Sequence, residues 1–259
     1  MKRRNRTPDT MAISEAELDV LTRDLDELHH DVGMPAMQAA VEKWTDGIRT
    51  SRRGFLIGAG AVIGGTVLAA CSSSASSPTT TTRAGSTTGT ASLTGDLAVA
   101  GLAASLENLA VAAYGDVLGA AAAGKLGTVP PAVANFVTTV KAQHTQHAQA
   151  WNSAIVAAGH PAVTGPDQAL VPTVDKAFAK VTDVTGAAKL ALSLEEIAGA
   201  TYQSAVSAVS AKSSIQVAAS IQPVELQHAA ILNFVLGKYP VPDAFSPLVG
   251  ARTLSDVSG

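Results

Sequence analysis

One short phrase is written twice in this chain, and it narrows the folds open to it. Residues 105–114 read SLENLAVAAY and residues 193–202 read SLEEIAGATY. Ser, Leu and Glu recur in order, and a Tyr follows at the same distance, Glu107 to Tyr114 and Glu195 to Tyr202. On a helix, residues three, four and seven apart share a face. Glu107 therefore lines up with Ala100, Ala103, Ala110, Val111 and Tyr114, and Glu195 with Ala188, Ala191, Leu192, Ala198 and Tyr202. Each glutamate lies inside an apolar stripe, whereas Glu196 is turned about 100° away and is expected to be solvated. A buried carboxylate without a partner is costly, so the pattern demands partners.

The surrounding chain supplies helices to carry them. From Leu93 onward Ala dominates, aromatic residues are few and strand-like alternation is nearly absent, in a stretch long enough for one domain with a core. Four long helices are expected over about 96–123, 131–158, 185–210 and 213–236. Gly124 and Gly127 stop the first, Pro130 and Pro131 start the second, and Gly159 ends it. The first two helices are joined closely, as are the last two. Between the pairs lies a longer stretch holding Pro161, Pro166 and Pro172, with a short helix expected over 175–180. Residues 93–259 thus form an all-α domain, a four-helix bundle of two αα-hairpins joined by a long crossover, with a tail carrying Pro240, Pro242 and Pro247. Because only 15% of residues are charged, some outer faces are expected to meet a second copy as a homodimer.

The second helix of each hairpin holds the partners. Residues 144–147 read HTQH and residues 225–228 read ELQH, placing three of the chain's six histidines in two i, i+3 pairs. Two side chains at that spacing point to one side of a helix and can grip one metal ion. In chain order the four helices present Glu, His-x-x-His, Glu and Glu-x-x-His.

On these residues the chain resembles the ferritin-like superfamily. Its di-iron or di-manganese carboxylate sites take one Glu from each of two helices and Glu-x-x-His from each of the others. The resemblance covers about residues 95–236. It implies a metal site formed by Glu107, His144, His147, Glu195, Glu225 and His228, with Tyr114 and Tyr202 hydrogen-bonding the carboxylates. Glu107 and Glu195 match the single glutamates, Glu225 and His228 one Glu-x-x-His, and His147 the second histidine. His144 departs from the pattern, standing where the family has a carboxylate that bridges two metals. Three glutamates leave two divalent ions one negative charge short, so a single ion or an unequal pair is expected. The expected ions are Fe or Mn, with Zn also compatible with the donors. Pro223, just before Glu225, predicts a kink, and Trp151, one turn beyond His147, is expected in the core or an interface.

The N-terminal part reads as an address. Residues 51–56 are SRRGFL, with Arg52 and Arg53 a twin-arginine pair ahead of the Gly-rich apolar run GFLIGAGAVIGGTVLAA. That run ends in LAAC at Cys71, the only cysteine, and resembles a lipobox whose cysteine is lipidated. Residues 51–71 are thus expected to be a twin-arginine signal, and a disulfide is excluded. Apart from Arg83, residues 72–92 are Ser, Thr, Gly, Ala and Pro, and read as a flexible tether. Residues 1–50 begin with the basic MKRRNR and continue into one amphipathic helix with Leu18, Leu21, Leu25, Leu28 and Val32. This stretch reads either as a cytoplasmic extension that binds a partner during export or as lying upstream of a later start at Met34 or Met37, and the later start is the expectation. His29 and His30 would then lie outside the function.

The resulting expectation is a bacterial protein exported by the twin-arginine translocation machinery and held by the lipid on Cys71 at the outer face of the cytoplasmic membrane. Its metal would support oxidase or peroxide-scavenging chemistry, or else the bundle would be a non-catalytic envelope protein with a degenerate site. A net charge of −3 and the lack of a basic patch argue against nucleic acid as a partner.

Overall fold

The structure, a computed structural model, describes residues 11–62, 93–243 and 245–256, with the side chains of 52–62 left out. Helices α3 (Asp96–Ala122) and α4 (Pro131–Ala157) form one hairpin, and α6 (Val184–Ala208) and α7 (Lys212–Val235) the other. Helices α1 (Glu15–Leu28) and α2 (Met34–Val62) precede them, and α5 (Val171–Phe178) lies in the crossover. No strand occurs among the described residues. The fold is all-α, a bundle of two hairpins.

Local chemistry explains the ends of these helices. Gly124 and Gly127 adopt φ of 70° and 72°, a left-handed conformation that other residues enter only with strain. Pro131 opens α4, where a missing N–H costs nothing. Asp183 caps α6 by accepting from the Gly186 N–H at 2.7 Å. The crossover helix starts earlier than the sequence suggested, because Pro172 fits its first turn instead of delaying it.

Side chains then tie the pieces together. Asp96, at the start of α3, accepts from the backbone of Ser210 at 2.9 Å and Ala211 at 2.8 Å, joining the two hairpins. Asn108 and Asn152 both donate to the Val163 carbonyl, at 2.9 and 3.0 Å, and hold the crossover against the first hairpin. The buried Asp167 pairs with Arg252 at 3.0 Å and fastens the C-terminal tail. α3 is long and apolar enough to cross a membrane by length and composition, but most of it is buried inside the bundle.

The N-terminal segment is a layer of this fold. Ser14 and Glu17 form a capping box that starts α1. A π-helical turn, His29–Gly33, links α1 to α2, and both helices pack on α4 and α7. Leu18 and Leu25 are buried, as the heptad spacing predicted, but Leu28 and Val32 are exposed. His29 faces inward in their place, because Leu18, Thr22, Leu25 and His29 form one stripe at the 4-3-4 spacing of a helix face. A chain begun at Met34 or Met37 would lack α1 and His29 altogether. Arg52 and Arg53 fall on the backbone of α2, while Cys71 and the 72–92 stretch lie outside the described residues.

Candidate metal centre

Two large apolar clusters make up most of the core of the bundle. Around Trp44, Trp151 and Tyr202 lies one, and around Tyr114, Phe136, Val140 and Leu232 the other. Between them sits a polar layer, and it consists of the residues singled out by the repeated phrase and the two histidine pairs. Glu107 comes from α3, His144 and His147 from α4, Glu195 from α6, and Glu225 and His228 from α7. All six are at most 2% exposed. Glu196, next to Glu195, faces solvent.

The six side chains form two overlapping groups of four. One holds Glu107, His144, His147 and Glu225, and the other His144, Glu195, Glu225 and His228. Within each group the potential ligand atoms lie within 4.8 Å of one another. Glu225 and His144 are shared. Glu225 Oε1 lies 2.9 Å from His147 Nδ1, and its Oε2 is 3.7 Å from His228 Nδ1, so this carboxylate faces both groups. His144 faces both with its two ring nitrogens, Nδ1 at 2.7 Å from Glu107 Oε2 and Nε2 at 3.2 Å from Glu195 Oε1. The departure at position 144 thus puts a ring, with one nitrogen toward each side, where the superfamily pattern has a bridging carboxylate.

Both tyrosines reach across the bundle. Tyr114 of α3 donates to Glu195 Oε1 on α6, and Tyr202 of α6 donates to Glu107 Oε1 on α3. Burial and the neighbouring carboxylate charge hold both phenols well above their ordinary pKa of 10.0, so they remain donors. Trp151 is fully buried and donates to the Tyr202 hydroxyl at 2.8 Å.

Electrostatics decide how such a layer survives burial. Burial alone would raise Glu107, but the charge of His147 and the hydrogen bond from His144 overcome it and bring its pKa to about 2. Glu195 is held well below 4.5 against the same desolvation, by His144 and His228. Desolvation would lower the imidazoles, yet the carboxylates win there too. His144 stands well above 6.5 because of Glu225 and Glu195, and His147 reaches about 9 because of Glu107. Without a metal the layer is a cluster of carboxylates and imidazolium ions that compensate one another.

That compensation is incomplete. His147 Nδ1 and Nε2 and both oxygens of Glu225 are buried without a hydrogen-bond partner. The 2.9 Å approach of His147 Nδ1 to Glu225 Oε1 is an ion-pair distance only, because its alignment is not that of a hydrogen bond. Orphaned charged groups in a dry interior are expensive. A cation between an imidazole nitrogen and a carboxylate oxygen removes that cost, and nitrogen and oxygen donors of this kind suit Fe, Mn or Zn. The residues fit a metal. Beside Glu107, His144 and Glu195 lies a cavity of about 20 Å³, walled by Leu106, Leu109 and Leu194.

Gln143 and Gln146 escaped the sequence reading, and His29, expected to lie outside the function, packs against the layer instead. Gln143 is buried and accepts at Oε1 from His228 Nε2, 2.8 Å away. His29 is 3% exposed, its ring centroid 5.3 Å from that of His147, and its Nε2 lies 2.8 Å from Gln146 Oε1. The adjacency of each Gln to a ligand histidine in KAQHTQH was the available signal; nothing local indicated that α1 would cover it.

The sequence profile of the ferritin-like domain family matches residues 95–238, and the chain belongs to that family. No curated protein and no solved structure matches it significantly.

Proposed function

We propose that the chain is a metal-binding envelope protein in which Glu107, His144, His147, Glu195, Glu225 and His228 hold one or two iron- or manganese-type ions. The observation that carries this reading is the pair of buried four-residue groups sharing His144 and Glu225. Bound there, a redox-active ion would supply electron exchange with O₂ or peroxide. The chain's own residues prepare the place. Tyr114 and Tyr202 hold the two glutamates in orientation. The cavity beside Glu107, His144 and Glu195 has room for a water-sized molecule, and its leucine walls exclude bulk water.

A non-catalytic bundle is the second reading, favoured by one observation. His144 already bonds Glu107 and Glu195, so the layer holds together with little help from a metal. Metal content of protein purified from its native host, compared with Glu195→Ala and Glu196→Ala, tests the proposal. Glu195→Ala should lose most of the metal and Glu196→Ala should keep it. Loss in neither would end the metal reading.

We also propose export by the twin-arginine machinery and anchoring through a lipid on Cys71. The sequence motifs at 51–56 and 68–71 support this. Cys71→Ser should then release the protein from the membrane or block processing. Recovery of a membrane-bound mature form that still carries residues 51–70 would exclude the lipid anchor.

A further inference from the structure

The family profile begins at residue 95, yet the structure docks residues 11–51 along α4 and α7. These are the helices that carry both histidine pairs. The docked segment follows α4 in register. Asp26 Oδ1 meets Gln143 Nε2 at 3.4 Å, His29 meets Gln146 and His147, and Trp44 packs edge-on against Trp151 at 5.9 Å. Met11, Leu18, Leu25, Met37, Ala40 and Trp44 are buried on the segment's side. Where the two meet, an apolar seam is interrupted beside the metal layer by two hydrogen bonds, Asp26 to Gln143 and His29 to Gln146, each made by the residue directly before a ligand histidine.

We infer that the α4–α7 face is a docking surface for residues 11–51 as a separable helical module, and that docking and metal binding are coupled. The coupling rests on the metal reading above. It runs through two contacts. Gln143 accepts from His228 Nε2, which fixes the ring so that Nδ1 faces Glu195 and Glu225, and its own amide donates to Asp26 of the module. Second-sphere acceptors of this type orient a ligand histidine and set its tautomer. His29 packs edge-on against the ring of His147, whose nitrogens have no hydrogen-bond partner, and so closes the layer to water. Gln143 is a positioning residue in this scheme, and the module supports it from outside the family domain.

Linkage gives the idea a quantitative form. If the docked module improves metal affinity by some factor, bound metal must improve module affinity by the same factor. Loss of a second-sphere contact typically weakens metal binding about 10–100-fold. The module is placed upstream of the twin-arginine pair, so processing before Cys71 would turn module and bundle into two molecules.

The test begins with the intact chain, carrying a specific protease site inserted between Ser77 and Pro78. After one cut, Mn(II) affinity is measured before and after the N-terminal piece is washed from the immobilised bundle. Release of the piece is timed with and without Mn(II). Affinity should fall about 10–100-fold on removal, and Mn(II) should slow release correspondingly. Gln143→Leu should weaken Mn(II) binding in the uncut chain, and Gln143→Glu combined with Asp26→Asn, which restores an acceptor for His228, should recover it. Unchanged Mn(II) affinity after removal, or release at the same rate with and without Mn(II), overturns the inference. Failure of the intact chain to bind Mn(II), Fe(II) or Zn(II) overturns the metal reading instead.

Discussion

Tyr202 donates its hydroxyl hydrogen to Glu107, on a helix of the other hairpin, and Tyr114 returns the same bond to Glu195. Each tyrosine stands seven residues after one glutamate and serves the other, which requires α3 and α6 to run antiparallel. The repeated phrase is therefore a reciprocal pair of supports.

The two supports are unequal. Tyr202 also accepts from the Trp151 indole at 2.8 Å, so Tyr202→Phe leaves both a buried carboxylate oxygen and a buried N–H short of a partner. Urea unfolding of metal-free protein should show Tyr202→Phe losing about 1–3 kcal/mol more than Tyr114→Phe, one unsatisfied group's worth. Equal losses would mean that the Trp151 contact contributes nothing.

Metal-free stability should depend on pH in a defined direction. The pKa values of His144, His147 and His228 are raised on folding, so their contribution is complete below 6.5 and fades as pH rises toward about 9, where His147 deprotonates. Glu107 and Glu195 are lowered, so theirs is complete above 4.5 and fades as pH falls toward the Glu107 value of about 2. His29 acts oppositely to the other histidines. Buried and lowered to about 4, it removes stability as pH falls from 6.5. Maximum stability of the metal-free protein is expected near pH ~6. Thermal unfolding across pH 3–10, on the order of one-unit steps, checks this; a maximum in the alkaline range would show that the imidazoles are neutral in the folded layer.

Replacing the ring by the carboxylate of the superfamily pattern should separate folding from metal binding. His144→Glu removes the imidazole that joins Glu107 to Glu195 and adds a further negative charge. Without metal the variant should lose about 3–5 kcal/mol, the usual cost of a broken buried ion pair. With iron or manganese it should recover that stability and approach two ions per chain by elemental analysis. A variant as stable as the parent without metal would show that His144 does not hold the layer together.

While docked, α1 should stabilise the bundle. Leu18 is 1% exposed and Val20, two residues on, is 44% exposed. Leu18→Ala should cost about 2–5 kcal/mol, and Val20→Ala less than about 0.5. If both changes leave the melting transition of the bundle unmoved, α1 is dispensable to it.

What the sequence determined by itself was whatever repeats along one helix. The apolar stripes through Glu107 and Glu195, the i, i+3 pairs at His144 and Glu225, and the breaks at Gly124, Pro131 and Gly159 are properties of single segments. A 3.6-residue period and the conformational limits of Gly and Pro make them legible. Four such helices with one long crossover have few ways to bury their polar stations other than together, so the bundle and the six Glu and His stations of its polar layer could be read from the sequence. The tertiary structure alone decided what touches what across helices. That each tyrosine supports the opposite glutamate, that His144 places one nitrogen on each side, and that Gln143 and His29 join the layer all depend on helix direction and rotation, which no local pattern encodes. The segment around α1 shows the reason most plainly. Its leucine spacing announced an amphipathic helix, but an amphipathic helix specifies only that it must be covered. The partner, the face of α4 and α7, was fixed by the shape of the folded bundle, which took up the stripe of Leu18, Thr22, Leu25 and His29 and left Leu28 outside.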